Sequence, residues 1–417
     1  MKILYLNLDH GIPVLGDKGA SVHVREFTTG LAQQGHEVSL ICATLGKGNA
    51  PPPATLIEMQ PDAGEHDLVR ECAARRLPPS SIDEPILRRE ISRLNYDRGF
   101  CARAIAALES RSFRPDLVYE RHALFHCAGA ALARMFGVPR LLEVNAPLIR
   151  EQEQYRGLVL KAAAAAAENA SFEGADSIIA VSEEVAAYIA SRGARPDDIL
   201  VIPNGVDTAR FHPGAGGEAV RENLGLGADP VIGFIGSFKP WHGVRFLIDA
   251  FAAMAARHPR VRLLCIGEGP ELETARRDAV LLGLEDRIAF TGRVPHAEIP
   301  AHLAAMDVSV APYLPDRDFY FSPLKVVEAL AAGTPVVATR IGQLELLIEH
   351  GITGFLFEPG DQADFIAKTL DLVCDAPRRR AMSEAARARA LSDLSWSAAV
   401  RRALGEGQRH IDRRRAA

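Results

Sequence analysis

Two kinds of hydrophobic pattern alternate along the chain. Short apolar runs between turn residues, such as Ile3 to Leu8, are typical of strands buried on both faces of a parallel sheet. The segment Ser21 to Gln34 instead repeats its apolar residues at helical spacing and is followed by Gly35, which favours a helix end. The next apolar run is His36 to Cys42. This order forms a βαβ unit, and its glycine-containing loop, Gly16 to Ser21, lies where such units bind ligands.

The alternation continues through both halves of the chain and predicts an α/β protein with parallel sheets covered by helices. Further strands are predicted at 116–120, 139–144, 176–181, 199–203, 231–236, 261–266, 288–290, 307–311, 335–338 and 354–357. A single long helix is predicted from Arg150 to Phe172, because the alanine run 162–167 strongly favours helix. The Pro- and Gly-rich segment Gly46 to Pro85 predicts a long irregular insertion. The loose segment 213–217 marks the boundary between the halves.

Length, charge and cysteine content limit the kinds of protein that this chain can be. A chain of 417 residues is longer than a single hydrophobic core normally supports, so two domains are expected. A net charge of −5 gives no indication of nucleic-acid binding, and the six cysteines show no CxxC spacing, which indicates reduced thiols without a zinc site or disulfide framework. No apolar run reaches transmembrane length, and the N-terminal MKILYLNL is a predicted strand, not a signal peptide. A cytoplasmic protein is expected, with peripheral association with the inner face of the plasma membrane left open.

The segment 322–339, SPLKVVEALAAGTPVVAT, carries the clearest candidate chemistry. Ser322 is a preferred N-cap and Pro323 suits the first helical position, so a helix is predicted to begin here. Its free N–H groups and positive dipole end would favour a phosphate, with Lys325 in the first turn and Glu328 one turn further on the same face. This arrangement suits a nucleotide, with phosphate at the helix end and ribose on the carboxylate. A capped amphipathic helix with a surface Lys–Glu pair explains the same residues.

Several segments in a fixed order carry a resemblance to a known family. They are the glycine loop at 16–21, IPNGVD at 202–207, GSFKPWHG at 236–243, IGEGP at 266–270, FTGRV at 290–294 and the segment 322–339. With them the chain resembles the GT-B-fold retaining glycosyltransferases of family 4 (glycosyl transferases group 1). The resemblance implies two Rossmann-like domains whose parallel sheets face a central cleft. Residues 1–205 would bind the acceptor, residues 206–394 would bind the nucleotide sugar, and residues 395–417 would form a helix crossing back to the N-terminal domain.

The resemblance also assigns donor-binding roles. Glu328 matches the family's ribose-binding glutamate, and the backbone from Ser322 to Lys325 would hold the diphosphate. Arg293 and Val294 stand where backbone groups read the base. The other positions expected to contact the donor are Gly16, Gly19, Ala20, Ser237, Lys239, Gly267, Pro323 and Leu324.

The chain departs from the family pattern near the donor sugar. Tyr320 stands where the E-x7-E motif has its first glutamate, which contacts the sugar; Asp316 and Asp318 are acidic alternatives nearby. Tyr320 and Asp318 are therefore both candidate substrate contacts.

A second departure concerns the phosphates. Ser237 and His242 replace the family's usual Arg and Lys, and Lys239 is expected to restore the cation. The resemblance implies a front-face displacement in which Lys239, Lys325 and the helix N-terminus stabilise the leaving diphosphate without a metal ion.

A third departure lies in the N-terminal half. Arg121, with His122 beside it, and Asn145 replace two histidines that are common in the family. His122 is the candidate catalytic residue of this half, and Glu120, Arg121, Glu143 and Asn145 are candidate contacts to the sugar or the acceptor.

The function implied is transfer of a sugar from a UDP-, GDP- or ADP-sugar to a glycan, lipid-linked or small-molecule acceptor, in bacterial polysaccharide or glycoconjugate synthesis. No cofactor beyond the donor is expected. Two alternatives stay open: a nucleotide-sugar epimerase of the same fold, against which the IPNGVD segment argues, and a non-catalytic nucleotide-sugar-binding protein, which the replacement at Tyr320 makes plausible.

Overall fold

The computed structural model describes residues 1–60, 84–315 and 319–416, and these form two compact units. Unit 1 comprises Met1–Pro203 together with Ala399–Ala417, and unit 2 comprises Asn204–Ala398. The terminal helix begins in unit 2 but belongs mostly to unit 1. Asp316, Asp318 and most of the predicted insertion lie outside the described residues.

Unit 1 is built on a seven-stranded parallel sheet in the order β3-β2-β1-β4-β5-β6-β7. Its strands are β1 (Lys2–Asn7), β2 (Glu37–Cys42), β3 (Thr55–Glu58), β4 (Leu117–Arg121), β5 (Arg140–Val144), β6 (Ser177–Ala180) and β7 (Ile199–Val201). Its helices are α1 (Gly19–Gln33), α2 (Glu84–Arg98), α3 (Phe100–Glu109), α4 (Ala128–Phe136), α5 (Leu148–Tyr155), α6 (Lys161–Glu173) and α7 (Glu183–Ser191).

Unit 2 has a six-stranded parallel sheet in the order β10-β9-β8-β11-β12-β13. Its strands are β8 (Val231–Ile235), β9 (Arg262–Ile266), β10 (Ile288–Gly292), β11 (Val308–Ala311), β12 (Val336–Thr339) and β13 (Gly354–Phe357). The helices from here to the end of the chain are α8 (Gly217–Asn223), α9 (Val244–Arg257), α10 (Leu272–Leu281), α11 (Ile299–Ala304), α12 (Leu324–Ala331), α13 (Leu344–Leu347), α14 (Gln362–Cys374), α15 (Ala376–Ser392) and α16 (Trp396–Ala416).

The strand order fixes where each unit can bind a ligand. In both sheets the chain winds outward in one direction from the first strand and then returns to its other side, so β1 lies beside β4 and β8 lies beside β11. The loops after two such strands diverge to opposite faces and leave a crevice at their carboxyl ends. The candidate sites therefore lie after β1 and β4 in unit 1 and after β8 and β11 in unit 2.

Apolar strands explain most of the agreement between sequence and structure. All residues of β11, β12 and β13 are buried, and two hydrophobic clusters lie on the two faces of this sheet. A parallel sheet covered on both faces needs continuous apolar runs, which are the runs that the sequence shows.

Three predicted elements are wrong in detail. The segment Gly46 to Pro85 contains strand β3, which pairs with β2 at the sheet edge and is too short to show a pattern of its own. The single helix predicted from Arg150 to Phe172 is two helices, α5 and α6, because the chain turns at Gly157 with φ +76°. The third concerns Ser322, which is not an N-cap.

Helix α12 begins at Leu324, with Pro323 before its first residue, and no side chain caps it. The hydroxyl of Ser322 accepts a hydrogen bond from the backbone N–H of Asn204 at 3.2 Å, and its carbonyl accepts another from the Asn204 side chain at 3.1 Å. Ser322 thus ties the IPNGVD segment to α12, while the first N–H groups of the helix receive no cap.

Candidate functional site

The loops after β8 and β11 meet at the crevice of unit 2. Gly243 ends the first loop with φ +68°, and a Cβ added there would lie 1.9 Å from the carbonyl oxygen of Pro312 in the second. Only glycine allows this approach. The loop after β8, which carries Lys239 and His242, is therefore held on the same side of the sheet as the N-terminus of α12.

Lys325 lies at the centre of this crevice. Its ammonium nitrogen is buried, 4.4 Å from the centre of the Tyr313 ring and 4.9 Å from that of Phe234, and it has no hydrogen-bond partner among the described residues. Burial lowers the pKa of Lys325 from 10.5 to about 7. A buried amine with three unused donors is costly unless a ligand supplies acceptors, so this geometry fits an anion.

His242 completes the same pocket wall. Its ring packs edge-on against Tyr313 with centroids 5.4 Å apart, and its buried Nδ1 atom has no hydrogen-bond partner in the described part of the chain. Burial, with Lys325 and Lys239 nearby, lowers the pKa of His242 to about 3. The imidazole is therefore neutral at physiological pH and can donate one hydrogen bond without adding charge.

Lys239 and Ser237 are exposed on the loop after β8. The Lys239 ammonium lies 4.8 Å from the centre of the Trp241 ring, a contact that keeps the charge accessible to solvent. Gly267 has a packing role beneath this loop, since an added Cβ would lie 1.8 Å from the carbonyl oxygen of Gly236. It allows the β9 loop to support the β8 loop.

Glu328 is buried on α12 and has a partner that the sequence did not predict. Its Oε1 atom lies 2.8 Å from Nε2 of His296, in the segment after β10. Nδ1 of His296 in turn lies 3.4 Å from Nη2 of Arg210. Glu328 is thus not part of a surface pair with Lys325, and the alternative explanation of the helix as a capped surface element is wrong.

The other residues predicted to contact the donor lie near β10 and α12. Arg293 is exposed, and Val294 is half-buried against the hydrophobic core of unit 2. Tyr320 is half-buried with its ring 6.1 Å from that of Phe321. Asp318 lies outside the described residues, so its predicted role stays a prediction.

In unit 1, a buried cluster forms around Glu143 at the carboxyl ends of β4 and β5. The Tyr119 hydroxyl donates to Oε2 at 2.6 Å, Arg121 Nη1 donates to Oε1 at 3.0 Å, and Asn145 Nδ2 also donates to Oε1. Nε2 of His23, on α1, lies 2.8 Å from Oε1. Burial alone would raise the pKa of Glu143, but His23 and Arg121 and the Tyr119 hydrogen bond bring it down to about 2.

The cluster brings together three of the predicted residues, Arg121, Glu143 and Asn145, and adds His23 and Tyr119, which sequence reasoning missed. His23 follows the glycine loop by two residues, so proximity to a candidate loop was the available signal.

The glycine loop is attached to α1. This helix starts at Gly19, two residues earlier than predicted, so Gly19 and Ala20 contribute first-turn N–H groups. Arg25 donates to the carbonyl oxygens of Val14 at 2.7 Å and Gly16 at 2.6 Å, which fixes the loop from within the helix.

Two predicted site residues lie elsewhere. Nε of Arg140 donates to Oε2 of Glu120 at 2.6 Å, and both side chains are almost fully buried. His122 is buried, its Nε2 3.5 Å from a carboxylate oxygen of Glu168 and its ring against Phe172 of α6. Both side chains are buried within unit 1, outside the cluster around Glu143, and the roles predicted for Glu120 and His122 stay predictions.

We expect Glu143→Gln to destabilise the protein by about 3 kcal/mol at pH 7, because it leaves the buried Arg121 without a counter-charge. The depressed pKa contributes stability that is present above pH 4.5 and is lost as the pH falls towards 2. The difference in unfolding free energy between wild type and variant should therefore shrink between pH 4.5 and 2 in urea titrations. Glu109→Gln, at an exposed position, is the control. A pH-independent difference would contradict the assigned cause.

Among the described residues, no helix has the length and apolarity needed to cross a bilayer. The same residues contain no group of three or more His, Cys, Asp or Glu side chains placed to hold a metal ion.

Two family models match the chain in the order of its two units. The model described as Glycosyltransferase Family 4 matches residues 18–210, and the model described as Glycosyl transferases group 1 matches residues 229–375. Together they cover more than half of the chain. The chain belongs to the family 4 glycosyltransferases.

Curated relatives of this chain are glycosyltransferases too, in agreement with the family match. The GDP-mannose-dependent alpha-(1-6)-phosphatidylinositol monomannoside mannosyltransferase of Mycolicibacterium smegmatis is 34% identical over 226 residues, which cover 53% of this chain and 59% of that protein. The D-inositol 3-phosphate glycosyltransferase of Corynebacterium efficiens is 28% identical over 401 residues, 93% of this chain and 89% of its own. The chain thus spans about three fifths of the mannosyltransferase. These relatives confirm the predicted family and its glycosyltransferase class, and they do not favour the epimerase alternative.

Solved structures share the fold. The Sucrose-phosphate synthase from Thermosynechococcus elongatus superposes with a TM-score of 0.69 at 20% identity, and Anabaena HepE in complex with UDP and glucose with a TM-score of 0.66 at 21% identity. Each match covers 100% of both chains. At this level of identity they confirm the predicted GT-B class of α/β fold.

Proposed function

We propose that this enzyme transfers a sugar from a nucleoside diphosphate sugar to a hydroxyl-bearing acceptor with retention of the anomeric configuration. The observation that carries the proposal is the Lys325 amine, which is buried at the carboxyl edge of a doubly wound sheet, beside a helix N-terminus, without a hydrogen-bond partner in the described structure. An anionic diphosphate supplies the acceptors that this amine lacks.

The diphosphate would accept hydrogen bonds from the first N–H groups of α12 and from Lys325 and His242, with Lys239 approaching from the exposed loop. As the bond between the sugar C1 and the diphosphate oxygen breaks, negative charge grows on the leaving group. Donors that are already in place stabilise this charge without reorganisation. The new bond joins C1 to the acceptor oxygen, and the acceptor proton passes to a phosphate oxygen.

The nucleoside would lie further along the same edge. Glu328 would accept hydrogen bonds from the ribose hydroxyls, and the backbone at Arg293 and Val294 would contact the base. Ser237 and Gly267 belong to the loops that shape this edge, as do Pro323 and Leu324. We assign donor binding to residues 206–394 on this basis.

Unit 1 would bind the sugar and the acceptor. Arg121 and Asn145, held by Glu143, and the glycine loop with Gly16, Gly19 and Ala20 offer hydrogen-bond donors at one sheet edge. In unit 2, Tyr320 stands where the family has its sugar-binding glutamate and would contact the sugar. The relatives named for phosphatidylinositol monomannoside and D-inositol 3-phosphate support a glycan, lipid-linked or small-molecule acceptor. The proposal includes a cytoplasmic location with peripheral contact with the inner face of the plasma membrane.

Incubation with a panel of UDP-, GDP- and ADP-sugars, followed by chromatography of the nucleotides and proton NMR of the anomeric centre, tests the proposal. We expect slow release of one nucleoside diphosphate, accelerated by an acceptor, with the donor's anomeric configuration kept in the product. Interconversion of donor sugars would instead identify an epimerase. Saturable binding with no turnover for any donor or acceptor would indicate a binding protein.

A further inference from the structure

We infer that His296 is a positioning residue for Glu328, fixing the carboxylate in the orientation that receives the ribose. The inference rests on the proposed function, in which Glu328 binds the ribose hydroxyls. The side chain of Glu328 is only 10% exposed, and its Oε1 atom lies 2.8 Å from Nε2 of His296. His296 lies in the segment after β10, and its side chain is 36% exposed. Its contact with Glu328 therefore joins this segment to α12.

The contacts of His296 fix which ring nitrogen carries the proton. Nη2 of Arg210 lies 3.4 Å from Nδ1, and a guanidinium group can only donate hydrogen bonds. Nδ1 therefore accepts, and Nε2–H donates to Oε1 of Glu328. This leaves Oε2 and the remaining lone pair of Oε1 as acceptors for ribose hydroxyls.

Arg210 is itself held by the end of the IPNGVD segment. The Asp207 carboxylate accepts hydrogen bonds from the backbone N–H groups of Ala209 at 2.9 Å and Arg210 at 3.2 Å, which closes a tight turn. The ring of Phe211 packs against His296 with centroids 5.7 Å apart. The turn thus supports His296 by both a polar and an aromatic contact.

Arg387 of α15 attaches this turn to the far end of α12. Its Nη1 atom donates to the carbonyl oxygens of Phe211 at 2.6 Å and Ala331 at 2.7 Å, and its Nη2 donates to Thr208 at 2.8 Å. Arg387 therefore connects the turn directly to the helix that carries Glu328. Through Arg210 and His296, the Asp207 turn constrains a carboxylate more than 100 residues further along the chain.

Ribose discrimination is the quantity that this chain of contacts controls. If His296 is removed, the Glu328 carboxylate can rotate about its terminal torsion, which has a broad energy minimum. Hydrogen bonds to the ribose then require the carboxylate to be ordered on binding, so they contribute less affinity. Contacts to the phosphates are unaffected.

Calorimetric titration with the tightest-binding of UDP, GDP and ADP, and with its 2′,3′-dideoxy analogue, tests the inference. Wild type should bind the ribonucleotide about tenfold more tightly than the dideoxy form, since hydrogen bonds to a charged group are lost. In His296→Ala the ratio should fall to about threefold or less, while dideoxynucleotide affinity changes little. His296→Gln, whose amide can donate to Glu328, should restore most of the ratio.

Glu328→Ala separates the possible failures. If this variant keeps the wild-type ratio, Glu328 does not bind the ribose and that part of the proposed function is wrong. If Glu328→Ala abolishes the ratio but His296→Ala retains it in full, the inference about His296 is overturned. A purely structural role for His296 predicts a lower melting temperature and equal losses for both nucleotides, which also contradicts the inference.

Discussion

Lys325→Met is expected to raise the melting temperature of the unliganded protein while weakening nucleoside diphosphate binding at least about tenfold. The substitution replaces a buried amine with an apolar chain of similar length beside Phe234 and Tyr313. It thereby removes the desolvation that lowers the pKa of Lys325 to about 7. It also removes the charged donor that we assign to the phosphates.

The pH dependence of this effect has a definite sign. Between pH 7 and 10.5 the unfolded chain binds a proton at Lys325 that the folded chain does not, so wild-type stability rises with pH across this window. Lys325→Met lacks this slope. The excess free energy of unfolding of Lys325→Met over wild type, measured with urea, should be largest below pH 7 and should decline towards pH 10.5.

Nucleotide binding should show the opposite trend in wild type. A bound diphosphate favours the charged amine, so binding takes up a proton above pH 7 and affinity falls as the pH rises. Isothermal titration in buffers of different ionisation enthalpy measures this uptake. Lys161→Met, which removes an exposed lysine in unit 1, should change neither stability nor affinity appreciably. If Lys325→Met binds UDP, GDP and ADP as wild type does, the phosphate assignment is wrong.

The sequence predicted well the helices and strands that carry the proposed donor site, because their patterns are local. The apolar run 335–338 must be buried on both faces, and β12 occupies residues 336–339. The adjacent α12 was predicted from its spacing, and only its first residue was misplaced. The error arose because Ser322 bonds to Asn204, which lies more than 100 residues earlier, and such a contact leaves no local signal.

The unit 1 site was harder to predict because β4 alternates. Successive side chains on a strand point to opposite faces. Tyr119 and Arg121 therefore reach Glu143, whereas Glu120, between them, contacts Arg140 on the other side. The sequence YERH has four polar residues in a row, and the alternation of side chains along a strand divides them between the two faces of the sheet. Which of the two faces forms the site depends on the helices that cover the sheet, and the local sequence does not show this.

His296 illustrates a different limit. It lies 32 residues before Glu328, in a segment whose motif resemblance ended at Val294. A lone histidine in a loop after a strand has many explanations. Its role becomes visible only when the segment after β10 is brought against α12 and Arg210 fixes the tautomer of the imidazole.

The buried pair Glu120 and Arg140 provides the second large expected effect. Glu120→Ala should lower the free energy of unfolding by about 3–5 kcal/mol, because it leaves a buried guanidinium without a counter-charge. Arg140 also donates to the carbonyl oxygen of Ser171 at 2.7 Å and to its hydroxyl at 2.8 Å, and neither contact neutralises the charge. Gly129 of α4 closes the other side, since a Cβ there would lie 1.8 Å from Oε2 of Glu120.

The matched control is the double variant Glu120→Met with Arg140→Met, which replaces the pair by apolar chains of similar length and should recover most of the lost stability. Urea unfolding measures both differences. Because the carboxylate is enclosed by α4 and Arg140, the Michaelis constant of folded Glu120→Ala for the donor sugar should stay within about twofold of wild type. A large rise in the Michaelis constant with unchanged stability would instead support the substrate contact that the sequence predicts for Glu120.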